Sequence, residues 1–454
     1  EPLTLEDIIH IYNTEKPEGL IVQFGGQTPI SLALPLARNN VPILGTSPDQ
    51  IHRAEDRKSF RAIIQKMNIR QPDSDTAVSV PEARKIASRI GYPVMIRPSY
   101  VLGGRAMEIV WTEEQLDHFA NEAVKASGEH PILIDKFLAD AVEVDIDLVA
   151  DGEKAVVGGI MEHIEHAGIH SGDSAMVIPA FSLADDVVRR IHEMARGLAL
   201  ELQVKGLMNI QVAVKDGEIF IIEVNPRASR TVPFISKATG FSMAKAASKV
   251  MVGLSLSEQG ITREPEPRLF SVKESVLPFN KFKKVDAILG PEMRSTGEVM
   301  GIDENFGMAF AKSQIAAGQN LPLEGKIFIS VKDRDKETII PVAKSLAEMG
   351  FEIISTSGTA AVLKENRISV TTVPKLSEGR PNIIDLIKNS DVDLLINTPS
   401  GPEPTKDEVK IRSDAVAHGI SLITTVAGAA AAAEGISALK SKGMEVRALQ
   451  DIHQ

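Results

Sequence analysis

The spacing of apolar positions along this chain changes period several times, and each change marks a change of element. Residues 1–50 read as a helix, an apolar run at 20–24, a turn at Gly25 and Gly26, a second helix and a second run at 42–45. A strand that ends in a glycine pair and opens a helix is the pattern of a parallel α/β sheet, whose neighbouring strands need a crossover between them. Only two such units are present, so the pattern predicts an incomplete sheet. The opening at Glu1, with neither Met nor a leader, reads as a fragment of something longer.

Two helical stretches then precede an extended run at 93–98, a glycine-containing loop at 99–105, a helix at 112–126 and strands at 132–137, 142–149 and 154–161. Residues 185–202 repeat apolar side chains at helical spacing, and two more strands close the region. Residues 256–320 show weak periodicity and carry Pro265, Pro267 and Pro278, which predicts a connector packed on the preceding domain. From 321 the alternation resumes, with strands at 326–331, 352–356, 370–373, 394–397 and 421–425 separated by helices. That is a small parallel-sheet domain with right-handed crossovers. The predicted organisation is therefore 1–50, 51–255, 256–320 and 321–454, in a multidomain α/β and α+β chain.

Composition changes this picture little. A length of 454 residues exceeds one ordinary core. The net charge of −11 gives no support for a nucleic-acid or membrane partner, although local cations decide whether an anionic nucleotide binds. The absence of cysteine excludes disulfides, thiolate catalysis and Cys-ligated zinc. The alanine-rich stretch at 425–435 is too short and too weakly apolar to span a bilayer and predicts a tightly packed helix start.

The chemistry concentrates at 209–227. Two apolar strands flank Lys215, Asp216 and Gly217, which predicts a β-hairpin. A two-residue turn at Asp216 and Gly217 puts Gln211 and Glu223 on opposite faces. A three-residue turn, with Gly217 left-handed, puts Gln211, Glu223 and Asn225 on one face, as a metal site requires. Oxygen donors of this kind suit Mg²⁺ or Mn²⁺. Glu223 follows four apolar residues, where a carboxylate is costly unless paired or metal-bound. Arg97, at the end of an apolar strand, can grip phosphate bidentately, and Gly103 and Gly104 can bring backbone N–H groups to phosphate oxygens. No Walker A sequence and no GxGxxG is present, so a nucleotide needs a different cradle. Residues 134–138 with Glu143 read as a hinge strand offering backbone groups to adenine and a carboxylate to ribose. His163, His166 and His170 are interrupted by glycines and predict a loop closing over an anion rather than a zinc site.

These pieces together resemble the ATP-grasp superfamily, and more narrowly the second ATP-grasp unit of carbamoyl phosphate synthetase large subunits. The resemblance rests on FGGQTP at 24–29, GTSP at 45–48, AEDR at 54–57, RPSYVLGGRAME at 97–108, GGIMEHIE at 158–165, HSGDS at 170–174, EVNPR at 223–227 and LGPEMRSTGEVMG at 289–301. It covers essentially the whole chain. YVL at 100–102 favours the second unit over the first and weighs against a biotin carboxylase, whose longer glycine-rich lid is also missing.

The resemblance implies a truncated pre-ATP-grasp sheet, an ATP-grasp domain and a Rossmann-like domain of the methylglyoxal-synthase type. It implies cytoplasmic phosphorylation of carbamate by ATP to carbamoyl phosphate, feeding pyrimidine and arginine biosynthesis. It further implies that Arg57, Arg97, Lys136, Leu138, Glu143, Gly168, Ile169, His170, Ser171, Gln211 and Glu223 bind ATP. Gln211, Glu223 and Asn225 would hold the divalent cations, and Arg97, Asn225 and Arg227 would act on the transferring phosphoryl group. Ser330, Lys336, Thr356, Thr359, Lys375 and Asn397 match effector-pocket positions for a nucleotide such as UMP or IMP. Glu165, Asp173, Glu274 and Thr424 match positions that bind ornithine in some relatives. The implied partners are the amino-terminal half of the large subunit and a glutaminase small subunit. The competing reading is a nucleotide-binding regulatory fragment without independent catalysis.

Overall fold

The computed structural model describes residues 1–98, 106–127, 130–165, 167–282, 285–399 and 406–453. The glycine loop, YVL and His166 lie outside the described residues.

In the first unit, β1 (Leu20–Ile21) pairs in parallel with β2 (Ile43–Leu44). The apolar run expected at 20–24 is paired for two residues only, because Gln23 turns its amide inward to Thr46 Oγ1, Leu207 O and Pro226 O. A four-stranded antiparallel sheet follows, built from β3 (Ser74–Ala77), β4 (Val94–Arg97), β5 (Glu108–Val110) and β6 (Ile132–Lys136) in the order β3-β6-β4-β5. Val94, Ile96, Ile132 and Ile134 point to one face and bury under the helices Val80–Ile90 and Glu113–Ser127. Strand alternation therefore sends Met95, Arg97, Leu133 and Asp135 to the other face.

The largest sheet has seven strands. They are β7 (Val142–Asp151), β8 (Ala155–His163), β9 (Met176–Ile178), β10 (Lys205–Lys215), β11 (Glu218–Asn225), β12 (Phe270–Val276) and β13 (Gly297–Asp303), in the order β11-β10-β7-β8-β9-β12-β13. The helix Asp185–Glu201 lays Val187, Ile191, Ala195 and Leu198 against one face of it. Val187, Ile191 and Leu198 each contribute about 1.5–3 kcal/mol when fully buried. On the opposite face, the helices Val232–Thr239 and Met243–Met251 cover only the half bearing Val149, Val156 and Leu207. The other half of that face is polar.

Residues 256–320 are more than a connector. Two of their segments, β12 and β13, complete the large sheet, and the helix Phe306–Ala316 packs so closely on Val426–Ser441 that a Cβ on Gly307 would lie 2.4 Å from Glu434 O. The first six residues of the helix Phe306–Ala316 are all buried, which leaves no amphipathic period and explains the weak pattern there. One apolar core runs through this contact, from Val177 and Val272 to Ile327 and Leu394.

The last unit is a parallel sheet of β14 (Lys326–Ser330), β15 (Glu352–Thr356), β16 (Val370–Val373), β17 (Leu394–Asn397) and β18 (Ser421–Ile423), in the order β16-β15-β14-β17-β18. Strand order reverses between β14 and β17, and open parallel sheets bind ligands at the carboxyl ends flanking that point. Among the described residues no helix is long and apolar enough to cross a membrane.

Candidate functional site

The β10–β11 hairpin reaches the arrangement a metal site needs by an unexpected route. Its turn has two residues, Asp216 (φ 52°) and Gly217 (φ 75°), both left-handed, and Lys215 faces Glu218. The three-residue turn is not formed. A β-bulge corrects the register instead: Val212 pairs with Ile221, but Gln211 pairs with Glu223, leaving Ile222 as the extra residue. Beyond the bulge Gln211 faces Glu223 and Asn209 faces Asn225, all on the polar half of the sheet.

The neighbouring strand β7 supplies three acids at period two, Glu143, Asp145 and Asp147, opposite Ala213, Gln211 and Asn209. Asp145 is the hub. It accepts from His163 Nε2 (2.7 Å), Gln211 Nε2 (3.0 Å) and Asn209 Nδ2 (3.2 Å). Burial pushes its carboxyl up, but these hydrogen bonds outweigh burial and hold it below its ordinary value. Asp147 accepts from Ser229 Oγ at 2.7 and 2.8 Å, from Thr231 Oγ1 and from Asn209; burial dominates there and raises it to about 6. Asn225 Nδ2 donates to Glu223 Oε1 (2.9 Å), and Arg227 Nη2 lies 3.4 Å from Asn225 Oδ1. Arg227 Nε, Arg97 Nε and His163 Nδ1 are buried without a hydrogen-bond partner among the described residues.

The segment between β8 and β9 closes on this face. Gly168 N donates to Glu143 Oε1 (3.0 Å), and burial raises the Glu143 carboxyl. Gly168 has φ 94°, and a Cβ there would lie 2.6 Å from Ile109 Cδ1 and 3.0 Å from Phe137 Cε2, so only glycine fits. Ile109 pairs with Met95, on the Arg97 face of the small sheet. The two sheets therefore meet across residues 168–171. Ile169 is buried; burial lowers His170. The buried ammonium of Lys273 anchors this loop through Ser174 O (2.8 Å) and Ser171 O (3.2 Å).

The structure thus brings Gln211, Glu223, Asn225 and Arg227 together with Glu143, and sets Gly168, Ile169, His170 and Ser171 beside them. Arg97 lies on the facing sheet, paired with Asp135 at 2.6 Å. The Lys136 side chain points elsewhere: strand alternation turns it to the helix-covered face, where its ammonium donates to Gly91 O and Tyr92 O at 2.9 Å each. Leu138 sits two residues further on, its carbonyl accepting from Ala141 N. Arg57 opens the helix Arg57–Lys66, exposed. Asp145, Asp147, Asn209 and Lys273 escaped the sequence reading. The alternation of acids with Val144, Ile146 and Leu148 in 143–148 was the available signal.

A second cluster lies at the carboxyl ends of β14, β15 and β17. Ser330 Oγ and Thr356 Oγ1 are 3.0 Å apart, Asn397 Nδ2 donates to Ser330 O (2.9 Å), and Val331 N donates to Thr359 Oγ1 (3.2 Å). Lys336 Nζ would lie 3.2 Å from a Cβ on Gly358, in the first turn of Ser357–Glu365, and pairs with Asp333 at 2.7 Å. Lys336 and then Lys375 hold the Asp333 carboxyl below its usual range. A third group joins the units: Glu165 Oε2 accepts from Thr425 Oγ1 (2.7 Å), the residue next to Thr424. Burial raises Glu165, and raises Glu274 to about 7.

An oxygen-donor hairpin on a large antiparallel sheet, faced by a small antiparallel sheet that carries an arginine, defines an ATP-grasp fold. Solved structures agree on the fold: biotin carboxylase from Campylobacter jejuni matches with TM-score 0.56 at 17% identity over 69% of this chain and 77% of that one. The biotin carboxylase domain of Hydrogenobacter thermophilus 2-oxoglutarate carboxylase, solved with MgADP, gives TM-score 0.56 at 16% identity over 70% of this chain and 78% of that one. Family profiles match residues 1–53 (carbamoyl phosphate synthase preATP-grasp domain), 56–259 (carbamoyl-phosphate synthase L chain, ATP binding domain) and 338–424 (MGS-like domain). The carbamoyl phosphate synthase large chain, C-terminal section, of Aquifex aeolicus is 49% identical over 100% of this chain and 88% of its own length. The large chain of Archaeoglobus fulgidus is 53% identical over 100% of this chain and 42% of its own length. The chain belongs to the carbamoyl phosphate synthase large chain family. It spans about two-fifths of the length of most of the large chains it matches, 42% for that of Archaeoglobus fulgidus.

Proposed function

We propose that the chain transfers the γ-phosphoryl group of ATP to carbamate, giving carbamoyl phosphate and ADP, and that its last domain regulates this step by binding a nucleotide such as UMP or IMP. The observation that carries the reading is the bulge at Ile222, which aligns Gln211, Glu223 and Asn225 on one polar face. Two amide groups and a carboxylate offer hard oxygen donors, which suit Mg²⁺ or Mn²⁺. The cations would neutralise and orient the phosphates. Arg227 and Arg97, each with a buried Nε that has no hydrogen-bond partner among the described residues, would hold the oxygens of the transferring group. Asp145 takes the Gln211 amide N–H, so that the amide oxygen would be the atom offered to a cation. Residues 168–171, held by Glu143 and Lys273, would exclude water and so protect carbamate.

The hydroxyls of Ser330, Thr356 and Thr359, with Lys336, Lys375 and Asn397, suit the phosphate and ribose of a mononucleotide. Glu165 and Glu274 suit a cationic amino acid such as ornithine. Activation of bicarbonate would come from the amino-terminal half of a large subunit and ammonia from a glutaminase small subunit, in the cytoplasm, for pyrimidine and arginine synthesis. The two-stranded sheet of the first unit favours the other reading, a regulatory fragment without its own catalysis.

ATP formation from ADP and carbamoyl phosphate with Mg²⁺ separates the two. Synthesis by the wild-type chain supports the phosphotransferase. Nucleotide binding without synthesis supports the fragment.

A further inference from the structure

Arg412, on the helix Lys406–Ala417, is a fully buried cation (0% exposed) that belongs to neither site, yet its hydrogen bonds among the described residues run toward both. Nη1 donates to Asn397 Oδ1 (2.8 Å), while Nε and Nη2 donate to Asp286 Oδ1 (2.7 Å) and Oδ2 (2.8 Å). Asn397 is in turn tied to Ser330 O at the mouth of the regulatory sheet. Asp286 lies in the segment between β12 and β13, which is bound to the loop over the hairpin site. Four positions beyond Asp286, Gly290 O accepts from His170 N (2.8 Å). Arg294 N and Ser295 N donate to Asp173 (2.7 and 2.8 Å), and Ser295 Oγ donates to Gly172 O (2.9 Å).

We infer that the Arg412–Asp286 pair links the effector pocket to the nucleotide loop, with Arg412 and Asp286 as positioning residues that touch neither ligand. This rests on the proposed function and names how its two sites communicate. A buried guanidinium cannot leave its carboxylate without stranding a charge, so the two move together. A ligand that displaces Asn397 moves the guanidinium, which pulls Asp286 and the segment carrying Gly290 and Ser295. The pull arrives at residues 170–173. The bidentate geometry matters because it fixes orientation as well as distance.

The test measures Mg·ADP affinity of this chain by calorimetry with and without saturating UMP, and UMP affinity separately. In the wild type UMP should change the ADP dissociation constant by about 5-fold or more. Asp286→Asn keeps the shape but turns an amide toward the guanidinium. It should leave the UMP dissociation constant within about 2-fold while the effect of UMP on ADP falls to near 1-fold. Should that variant not fold, Asp286→Glu keeps the charge and displaces it, and the same loss is expected. An undiminished effect of UMP in the variant overturns the inference, and so does loss of UMP binding itself, which would make the pair part of the pocket. A wild-type chain that binds both nucleotides with no mutual effect also overturns it. A wild-type chain that binds no UMP contradicts the regulatory reading beneath it.

Discussion

The hairpin site and the pocket at the ends of β14, β15 and β17 carry opposite charge. The first gathers Glu143, Asp145, Asp147 and Glu223 on one sheet face, so an anionic nucleotide meets repulsion until cations intervene. The second sets hydroxyls and an asparagine beside Lys336, which among the described residues has only its exposed partner Asp333 to give up before it can meet an anion. The architectures differ accordingly. The acidic site sits mid-strand on a sheet face, where a side-chain network fixes each donor; the basic pocket sits at strand ends, where a first helical turn offers backbone N–H groups. Metal-dependent phosphoryl transfer needs the rigidity of the former. Reversible binding needs only the latter.

The comparison breaks first at Glu223. Glu223→Gln should lower ATP formation from ADP and carbamoyl phosphate by about 10²-fold or more, with UMP affinity unchanged. An equal loss at both sites would mean the substitution damages the whole fold. Asp145→Asn comes next. It leaves the donors of His163, Gln211 and Asn209 without their charged acceptor, and an outer-shell loss of about 10- to 100-fold in activity is expected, read as kcat rather than as misfolding by thermal melting. Lys336→Ala should weaken UMP by about 10-fold and leave ADP binding alone, measured by calorimetry.

The smallest effect is a pH dependence. Burial raises Glu274 from 4.5 to about 7, so the folded chain keeps a proton that the unfolded chain releases. Stability therefore falls as pH rises from about 4.5 to about 7, by less than about 3 kcal/mol, since part of the side chain reaches solvent. Glu274→Gln should flatten that decline in melting temperature between pH 5 and pH 8, and an unaltered slope would show that Glu274 ionises freely.

The two regions also differ in how far they could be read from the chain. The five-stranded parallel sheet was legible nearly to the residue, with β15, β16 and β17 at the runs expected, because inner strands such as β17, buried on both faces, are continuous apolar runs. The large sheet was half hidden. Its β12 mixes Lys273 and Glu274 into a strand that no simple alternation describes, and β9 is three residues long. In the candidate site Gln211, Glu223 and Asn225 were recognisable, but their common face depends on a bulge, and a bulge is set by strand pairing that local sequence does not encode. Asp145 and Asp147 looked like solvent-facing positions of an alternating strand, since nothing local shows that Asn209, Ser229 and Thr231 come to meet them. The face taken by the Lys136 side chain was illegible for the same reason: it is decided by pairing with Val94.

The most direct test of the account is a pair of calorimetric titrations, ADP and UMP, each with Mg²⁺ and again after removal of divalent cations by chelator. The account predicts that ADP binding weakens by about 10-fold or more without metal, and that Glu223→Gln reproduces this loss in the presence of Mg²⁺, while UMP binding is unchanged in every case. ADP binding that is indifferent to both metal and Glu223 would contradict the assignment of the hairpin face as a divalent-cation site.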